Sequence, residues 1–475
     1  MENGDLASLP IPPFTHLQRY WFGDGEYKDS ATIPPFSDEF ATRLPYAEKF
    51  EACDFNALAK GDPAFKELWE KTEGRLNFQD PATSVALAKA ILKVDFNLKL
   101  ELPDDRLCPP IPNRFSYVYW IQRLIDGTDP DYNISDWNPN RKVIGLDIGT
   151  GASAIYTMLC LQTRIKWTMC ATDIDKKSFD WAVRNLAINR LATRAKMIQT
   201  IDSNPLIPLQ HLNVETLDFT MCNPPFFNNP YEMRASLRGD NKAAPPNSIC
   251  TGAEVEMVCP GGDLGFVTRI FEESLILGEK VGWYTSLLGK LDSAKAIIAL
   301  LKNHDINNWV VGVIDMGKTK RWIVGWSFGD RRPPTSFARP PGIPHELLPL
   351  ATDYRITLPV KNHDDGFLAN AVADILSSLK WKSWKWDRAK VPAACGIGEA
   401  TKNVWNRAFR RQVEREARRL AAGGNPDVEM KAAEEEKVVM AFRVRVWESE
   451  SLVVADWLRG TDHVIWESFC VSYER

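Results

Sequence analysis

Lys142 to Tyr156, KVIGLDIGTGASAIY, carries an apolar run ending in Asp147 into the turn Gly149-Thr150-Gly151-Ala152-Ser153, and an apolar helical pattern continues through Leu161. That is the order strand, tight turn, helix. Two glycines are too few for the three-glycine dinucleotide fingerprint, and no Lys-Ser/Thr follows to make a phosphate-binding loop. The next predicted strand, Trp167 to Thr172, runs into Asp173-Ile174-Asp175. An acid therefore stands about where an α/β nucleotide site needs a carboxylate for ribose hydroxyls, although a solvated strand-end acid has the same spacing. A glycine turn lets backbone approach a ligand closely, and nothing here would neutralise a pyrophosphate. The combination fits S-adenosyl-L-methionine better than a dinucleotide, with Asp147, Gly149, Gly151 and Asp173 on the cofactor side.

Downstream, Met221 to Phe227 reads MCNPPFF and follows a β-branched and apolar run, Glu215 to Thr220. The Asn223 side-chain carbonyl and the Pro224 backbone carbonyl can both accept hydrogen bonds from an exocyclic amine. Pro225 stiffens the turn and Phe226 offers a stacking face. Asn223, Pro224, Pro225 and Phe226 are thus candidate catalytic residues, and Asn223 also faces the cofactor. Taken alone, the heptapeptide reads equally well as a proline turn with core phenylalanines. The glycine turn upstream favours the functional reading.

Strands are predicted near residues 143–148, 167–172, 196–201, 216–222, 281–287, 308–314 and 322–328, with helices between them, including 178–189, 263–277 and 293–302. The last two strands have only a short connection, so they must be antiparallel neighbours. Seven strands with a reversed final one is the Rossmann-like arrangement of class I S-adenosylmethionine-dependent methyltransferases, an α/β fold. Around this core at 142–330, residues 1–62 read as an irregular arm rich in proline and aromatics, and 63–141 as a helical N-terminal module. Residues 331–350, with six prolines from Pro333 to Pro349, read as a stiff linker. Residues 351–475 read as a smaller α/β accessory domain containing a long basic helix, 401–421.

The segments LDIGTGASAIY, ATDID, MCNPPFF, TGAEVEMVCPGGDLGFVTRI and GKTKRWIVGWSF, with GRLNFQDPATSVALAKAIL and CPPIPNRFSYVYWIQRLI upstream, resemble the methyltransferase-like 16 family. The resemblance spans about Phe65 to Asp330. It implies methylation of adenine N6 in U6 small nuclear RNA. Related bacterial enzymes that methylate an adenine of large-subunit ribosomal RNA carry the same signatures, which leaves ribosomal RNA as an alternative target. By the same resemblance Gly149, Ser153 and Asp173 match cofactor contacts, Asp173 standing where glutamate is more common. Arg114 matches a cofactor-side clamp, for which a surface salt bridge is the plain alternative. Ser203 is placed at a further cofactor position, in a stretch that diverges from the family. Lys318, Lys320 and Arg321 resemble a substrate-facing hairpin. Nuclear residence is implied in the same way, while composition suits any soluble intracellular compartment, the cytoplasm included.

A net charge of −4 does not announce a nucleic-acid binder, but its distribution does more. From Lys380 to Arg419 twelve basic residues face four acids, with Trp381, Trp384, Trp386 and Trp405 among them. Cations mixed with aromatic faces suit phosphates and unstacked bases. A charged helix face with inward tryptophans would give the same string. Arg410 and Arg411 are candidates there, and Arg234, Arg238 and Lys242 lie in an apolar-poor arm, 228–248, read as a mobile loop over the substrate cleft. The expected partner is a structured RNA with an unpaired or flipped adenine.

The nine cysteines and six histidines form neither paired nor clustered spacings, so no metal site is proposed. No apolar run reaches a membrane span, and Met1 to Pro13 lacks the marks of a signal peptide. Two rival classes stay open. A protein-glutamine methyltransferase also uses Asn-Pro-Pro, although the following phenylalanine and the basic loops favour a base. A silent RNA-binding scaffold is disfavoured by the presence of Asp147, Asp173 and Asn223.

Overall fold

The computed structural model describes residues 54–132, 138, 140–238, 252–315, 320–358, 366–388, 393–421 and 437–473. They form two compact units, the first built mainly from residues up to Phe328 and the second mainly from Pro349 onward.

In the first unit, seven strands make one sheet: β1 (Val143–Ile148), β2 (Trp167–Asp173), β3 (Ala195–Gln199), β4 (Leu217–Cys222), β5 (Val281–Leu288), β6 (Trp309–Asp315) and β7 (Lys320–Trp326), in the order β3-β2-β1-β4-β5-β7-β6. Neighbouring strands are parallel except at β7, which is antiparallel to both β5 and β6. This is the class I methyltransferase sheet that the alternation of strands and helices predicts. The four residues between β6 and β7 leave no room for a crossover, which dictates the reversal. β1 is buried along almost its whole length, so its sequence is a continuous apolar run rather than an alternating one.

The helical module ahead of the sheet holds α1 (Phe55–Gly61), α2 (Pro63–Lys71), α3 (Pro81–Phe96) and α4 (Ile111–Gly127). The arm expected over 1–62 lies outside the described residues up to 53, and its end is helical rather than irregular. Asp54 caps α1 by accepting from the Ala57 N–H at 2.9 Å. α2 and α3 both begin with proline behind an aspartate cap, Asp62 and Asp80. The module shares one compact unit with the sheet rather than standing apart.

Between the strands come α5 (Ile155–Thr163), α6 (Lys176–Ile188), α7 (Pro230–Arg238), α8 (Glu254–Met257), α9 (Gly262–Leu277) and α10 (Leu291–Asn303). Ile270, Phe271, Ile297 and Leu301, from α9 and α10, share a core with Tyr284, Val324 and Trp326. Each such side chain contributes about 1.5–3 kcal/mol of transfer free energy. The arm over 228–248 is not a loop throughout, because it opens as α7. Asn229 accepts from Glu232 N–H at 2.9 Å, the Glu232 carboxylate accepts from Asn228 N–H at 2.9 Å, and Pro230 starts the helix.

The second unit has its own antiparallel sheet, with β8 (Asp353–Thr357), β9 (Ser383–Asp387), β10 (Ala394–Ala400), β11 (Met440–Trp447) and β12 (Leu452–Arg459) in the order β8-β12-β11-β10-β9. Its helices are α11 (Thr335–Ala338), α12 (Phe367–Ser377), α13 (Arg407–Ala421) and α14 (His463–Tyr473). Two expectations fail here. Residues 331–350 are no free spacer: Arg332, Phe337, Ala338 and Leu347 are buried, and the segment divides between the two units. The tryptophans are not a base-stacking surface either. Trp405 is buried, and Trp381, Trp384 and Trp386 pack against the core around Phe442 and Phe469. The glycines of β10 make the room: a Cβ on Gly396 would stand 2.4 Å from the Trp384 ring, and one on Gly398 2.6 Å from Phe442. The basic helix starts only at Arg407, because Val404 and Trp405 are buried in that core. Among the described residues no helix is long and apolar enough to cross a membrane.

Candidate cofactor and base pocket

β1 lies between β2 and β4, where the strand order reverses direction, and a crevice opens at the carboxyl ends of such strands. Ile148 is in register with Thr172 on one side and Cys222 on the other. Gly149, Asp173 and Asn223 are therefore the next residues on three adjacent strands, and all three line one cavity.

Gly149 and Gly151 have φ of 69° and 66°, a left-handed backbone that glycine adopts without strain. A Cβ on Gly149 would meet nothing within 4 Å, so that glycine leaves space rather than filling a tight contact. Gly151 N–H donates to Asp173 Oδ2 at 2.8 Å, and Asp175 N–H donates to Asp173 Oδ1 at 2.9 Å. Burial raises the Asp173 carboxyl above its usual value while these two bonds pull it down. Ser153 also lines the cavity.

Asp147 departs from expectation. It is fully buried and does not line the cavity. Its Oδ2 accepts from Thr150 Oγ1 at 2.7 Å and Thr157 Oγ1 at 3.0 Å, bracing the glycine turn from beneath. Burial pushes its carboxyl up to about 6. Ser203 is likewise misplaced: it is exposed, and the neighbouring Asp202 and Asn204 line the cavity instead.

Arg114 lines the cavity, donates from Nη1 to the Tyr156 hydroxyl at 2.7 Å and lies 5.4 Å from that ring's centroid. Its Nε is buried without a hydrogen-bond partner. Among the described residues it forms no salt bridge, so it is a cation available to a ligand carboxylate rather than a surface ion pair.

The end of β4 is braced by a closed set of hydrogen bonds. Cys222 N–H reaches the Tyr117 hydroxyl at 3.4 Å, that hydroxyl meets Thr285 Oγ1 at 2.7 Å, and Thr285 Oγ1 donates to Thr220 O at 2.7 Å. Asn223 follows directly, and its Oδ1 is buried with no hydrogen-bond partner. A buried acceptor left alone costs about 1–3 kcal/mol, which a ligand N–H can relieve. Pro224 and Pro225 line the same cavity. Phe226 stands outside it, with the Arg321 guanidinium 4.8 Å from its ring centroid. Burial first, and the charge of Arg114 second, depress the Arg321 guanidinium below its ordinary value.

The cavity suits S-adenosylmethionine group by group: an unpaired guanidinium for the carboxylate, Asp173 for the ribose, an open glycine turn between them and an orphan amide oxygen at the reacting end. A family model described as RNA methyltransferase matches residues 38–330. The chain belongs to this RNA methyltransferase family. It is 31% identical over 412 residues to the U6 small nuclear RNA (adenine-(43)-N(6))-methyltransferase of Schizosaccharomyces pombe, a match covering 85% of this chain and 95% of that one. To the RNA N(6)-adenosine-methyltransferase mettl16 of Danio rerio it is 36% identical over 283 residues, covering 59% of this chain and only 58% of that relative. The hMettl16 catalytic domain in complex with MAT2A 3'UTR hairpin 1 superposes with a TM-score of 0.51 at 33% identity, covering 58% of this chain and 91% of that one.

The RNA-side candidates of this RNA methyltransferase are scattered. Arg234 is exposed on α7, and Arg238 ends that helix. Lys242 and Lys318 lie outside the described residues. Lys320 is exposed and 3.5 Å from Asp315, so part of its charge is already answered. Arg410 and Arg411 are exposed on α13 in the second unit. Sequence reasoning missed Glu256, which lines the cavity from α8, and Ile174 and Ile201, apolar and exposed at its rim. For Ile174 the position right after Asp173 was a usable signal; for Glu256, more than 80 residues further on, the signal was its place in the segment TGAEVEMVCPGGDLGFVTRI, which carries the family resemblance but was not read for site residues.

Proposed function

We propose that this chain transfers a methyl group from S-adenosylmethionine to the N6 amine of an unpaired or flipped adenine in RNA, with U6 small nuclear RNA as the target and the nucleus as the place of action. The observation that carries this reading is the buried, unpartnered Oδ1 of Asn223 beside the glycine turn.

An adenine amine carries two N–H donors and no charge. Asn223 Oδ1 and the Pro224 carbonyl supply two acceptors at a stiff corner. Holding both hydrogens pulls the nitrogen lone pair out of the ring as the new bond forms, so the interaction strengthens toward the transition state. When bound, S-adenosylmethionine supplies an electrophilic methyl group on a sulfonium. Arg114 would hold its carboxylate and Asp173 its ribose hydroxyls, and Asn223 would set the line of attack, so positioning is the main contribution of the protein. The amine loses its extra proton readily once alkylated, and no dedicated base is required. Phe226, which stands outside the cavity with the Arg321 guanidinium 4.8 Å from its ring centroid, is assigned the stacking contact with the part of the base that extends past the lining.

The test is a single-turnover reaction with labelled donor and, separately, U6 RNA, ribosomal RNA and protein extract, each digested afterwards. N6-methyladenosine at one adenine of U6 supports the assignment. Label in ribosomal RNA moves the target, and methylglutamine overturns the nucleobase reading.

A further inference from the structure

We propose that Glu256 is a contact residue of the methyl-donor site, its Oε1 accepting a hydrogen bond from an N–H or O–H group of the bound donor. This rests on S-adenosylmethionine being the ligand of the cavity.

α8 is a single turn, and it sits where it does for two reasons. Glu256 Oε2 accepts from Ala253 N–H at 2.9 Å, closing the start of the turn, and from Leu107 N–H at 3.1 Å, tying it to the N-terminal module. Phe227 N–H donates to Met257 O at 3.0 Å and Cys259 N–H to Phe227 O at 2.9 Å, so α8 is also fastened to the residue following Asn223-Pro224-Pro225-Phe226. Both hydrogen bonds of the Glu256 carboxylate use the same oxygen.

The other oxygen is placed toward the ligand. Glu256 lines the cavity, and Oε1 is the one atom within 4 Å of the point where a Cβ on Gly151 would stand, 3.8 Å away. Gly151 N–H in turn holds Asp173 Oδ2. Two carboxylates therefore stand beside one glycine, each with acceptor capacity left over. Burial disfavours the anion at Glu256 and the Asp173 charge adds to that, while the backbone N–H groups and Arg106 oppose it. A donor hydrogen on Oε1 would offset the strain of keeping this anion half out of water. S-adenosylmethionine has three such groups, the α-ammonium, the ribose diol and the adenine amine. The shared chemistry is hydrogen donation to a carboxylate.

Glu256→Gln isolates this contact, because the amide oxygen can still accept from Leu107 and Ala253 while the second position becomes an –NH₂ that cannot accept. Calorimetry on the full chain, at a temperature where all variants are folded, compares S-adenosylhomocysteine with methylthioadenosine, which lacks the amino acid. The expected result is a loss of S-adenosylhomocysteine affinity of about 10-fold or more in Glu256→Gln, with an unchanged ligand-free melting temperature, partial recovery in Glu256→Asp, and a raised KM for donor but not for RNA. An equal loss for methylthioadenosine assigns the nucleoside half, ribose diol or adenine amine, as the partner; a loss confined to S-adenosylhomocysteine assigns the ammonium. Wild-type affinity in Glu256→Gln overturns the inference alone. A wild-type chain that binds neither ligand overturns the donor reading beneath it.

Discussion

Ile148 and Cys222 are paired neighbours on parallel strands, so Gly149 and Asn223 leave the sheet side by side. The glycine turn and the Asn-Pro-Pro corner, more than 70 residues apart in sequence, are thereby set next to each other by sheet register alone. A slip of one residue between β1 and β4 would turn one of them away.

Asn223→Ala removes the orphan acceptor. Single-turnover methylation should fall by about 10²–10³-fold, while donor affinity measured by calorimetry changes little, since the lost bond belongs to the base. Near-normal turnover would refute the role.

Arg114→Ala removes the unpaired cation. S-adenosylhomocysteine should bind about 10–100-fold more weakly, and methylthioadenosine, which has no carboxylate, should bind as before. Equal losses for both ligands would point to damage of the cavity rather than to a lost ion contact.

Asp147 makes the stability of the first unit depend on pH. Its folded carboxyl lies near 6, against an ordinary 3.8, so folding favours the protonated form. Stability is therefore full below the ordinary value and falls as pH rises through about 6. Asp147→Asn keeps an oxygen for the hydroxyls of Thr150 and Thr157 but cannot ionise. Relative to wild type it should gain about 2 kcal/mol between pH 4 and 7.5 in urea melts. Parallel pH profiles for the two proteins would sink this.

On α13, Arg410→Ala with Arg411→Ala tests the second unit's claim on RNA. If both arginines meet phosphates, the slope of log affinity against log salt should become shallower by about 1–2. An unchanged slope would remove this helix from the RNA-binding surface.

The sheet was legible because buried parallel strands write themselves as unbroken apolar runs, and the turn residues after β1, β2 and β4 carry distinctive chemistry. Errors arose where one-dimensional order hides which way a side chain points. The string WKSWKW mixes cations and indoles, but a strand sorts alternate residues to opposite faces, and β9 turns Trp384 and Trp386 onto the glycines of β10. Asp147 sits at a strand end like Asp173, yet it turns under the loop rather than into the cavity. In the loop after β3 the neighbours of Ser203 face inward instead of Ser203, a matter of turn geometry that spacing does not specify. Glu256 reaches its place through the bond its carboxylate accepts from Leu107 N–H and through the backbone bond of the neighbouring Met257 to Phe227, contacts between segments far apart in sequence.

The second unit is assembled from Gly127–Tyr132, Gly329–Arg339 and Pro349–Arg475. Within it the Tyr132 hydroxyl donates to Glu399 at 2.8 Å and the Arg331 guanidinium lies over the Tyr132 ring. A single cut of the chain thus cannot separate the two units cleanly. A catalytic fragment ended at Phe328 would keep Tyr132 while discarding both Arg331 and Glu399, and a C-terminal fragment begun at Pro349 would keep Glu399 without either Tyr132 or Arg331. Dissecting the protein into working halves calls for rejoining segments, not for truncation.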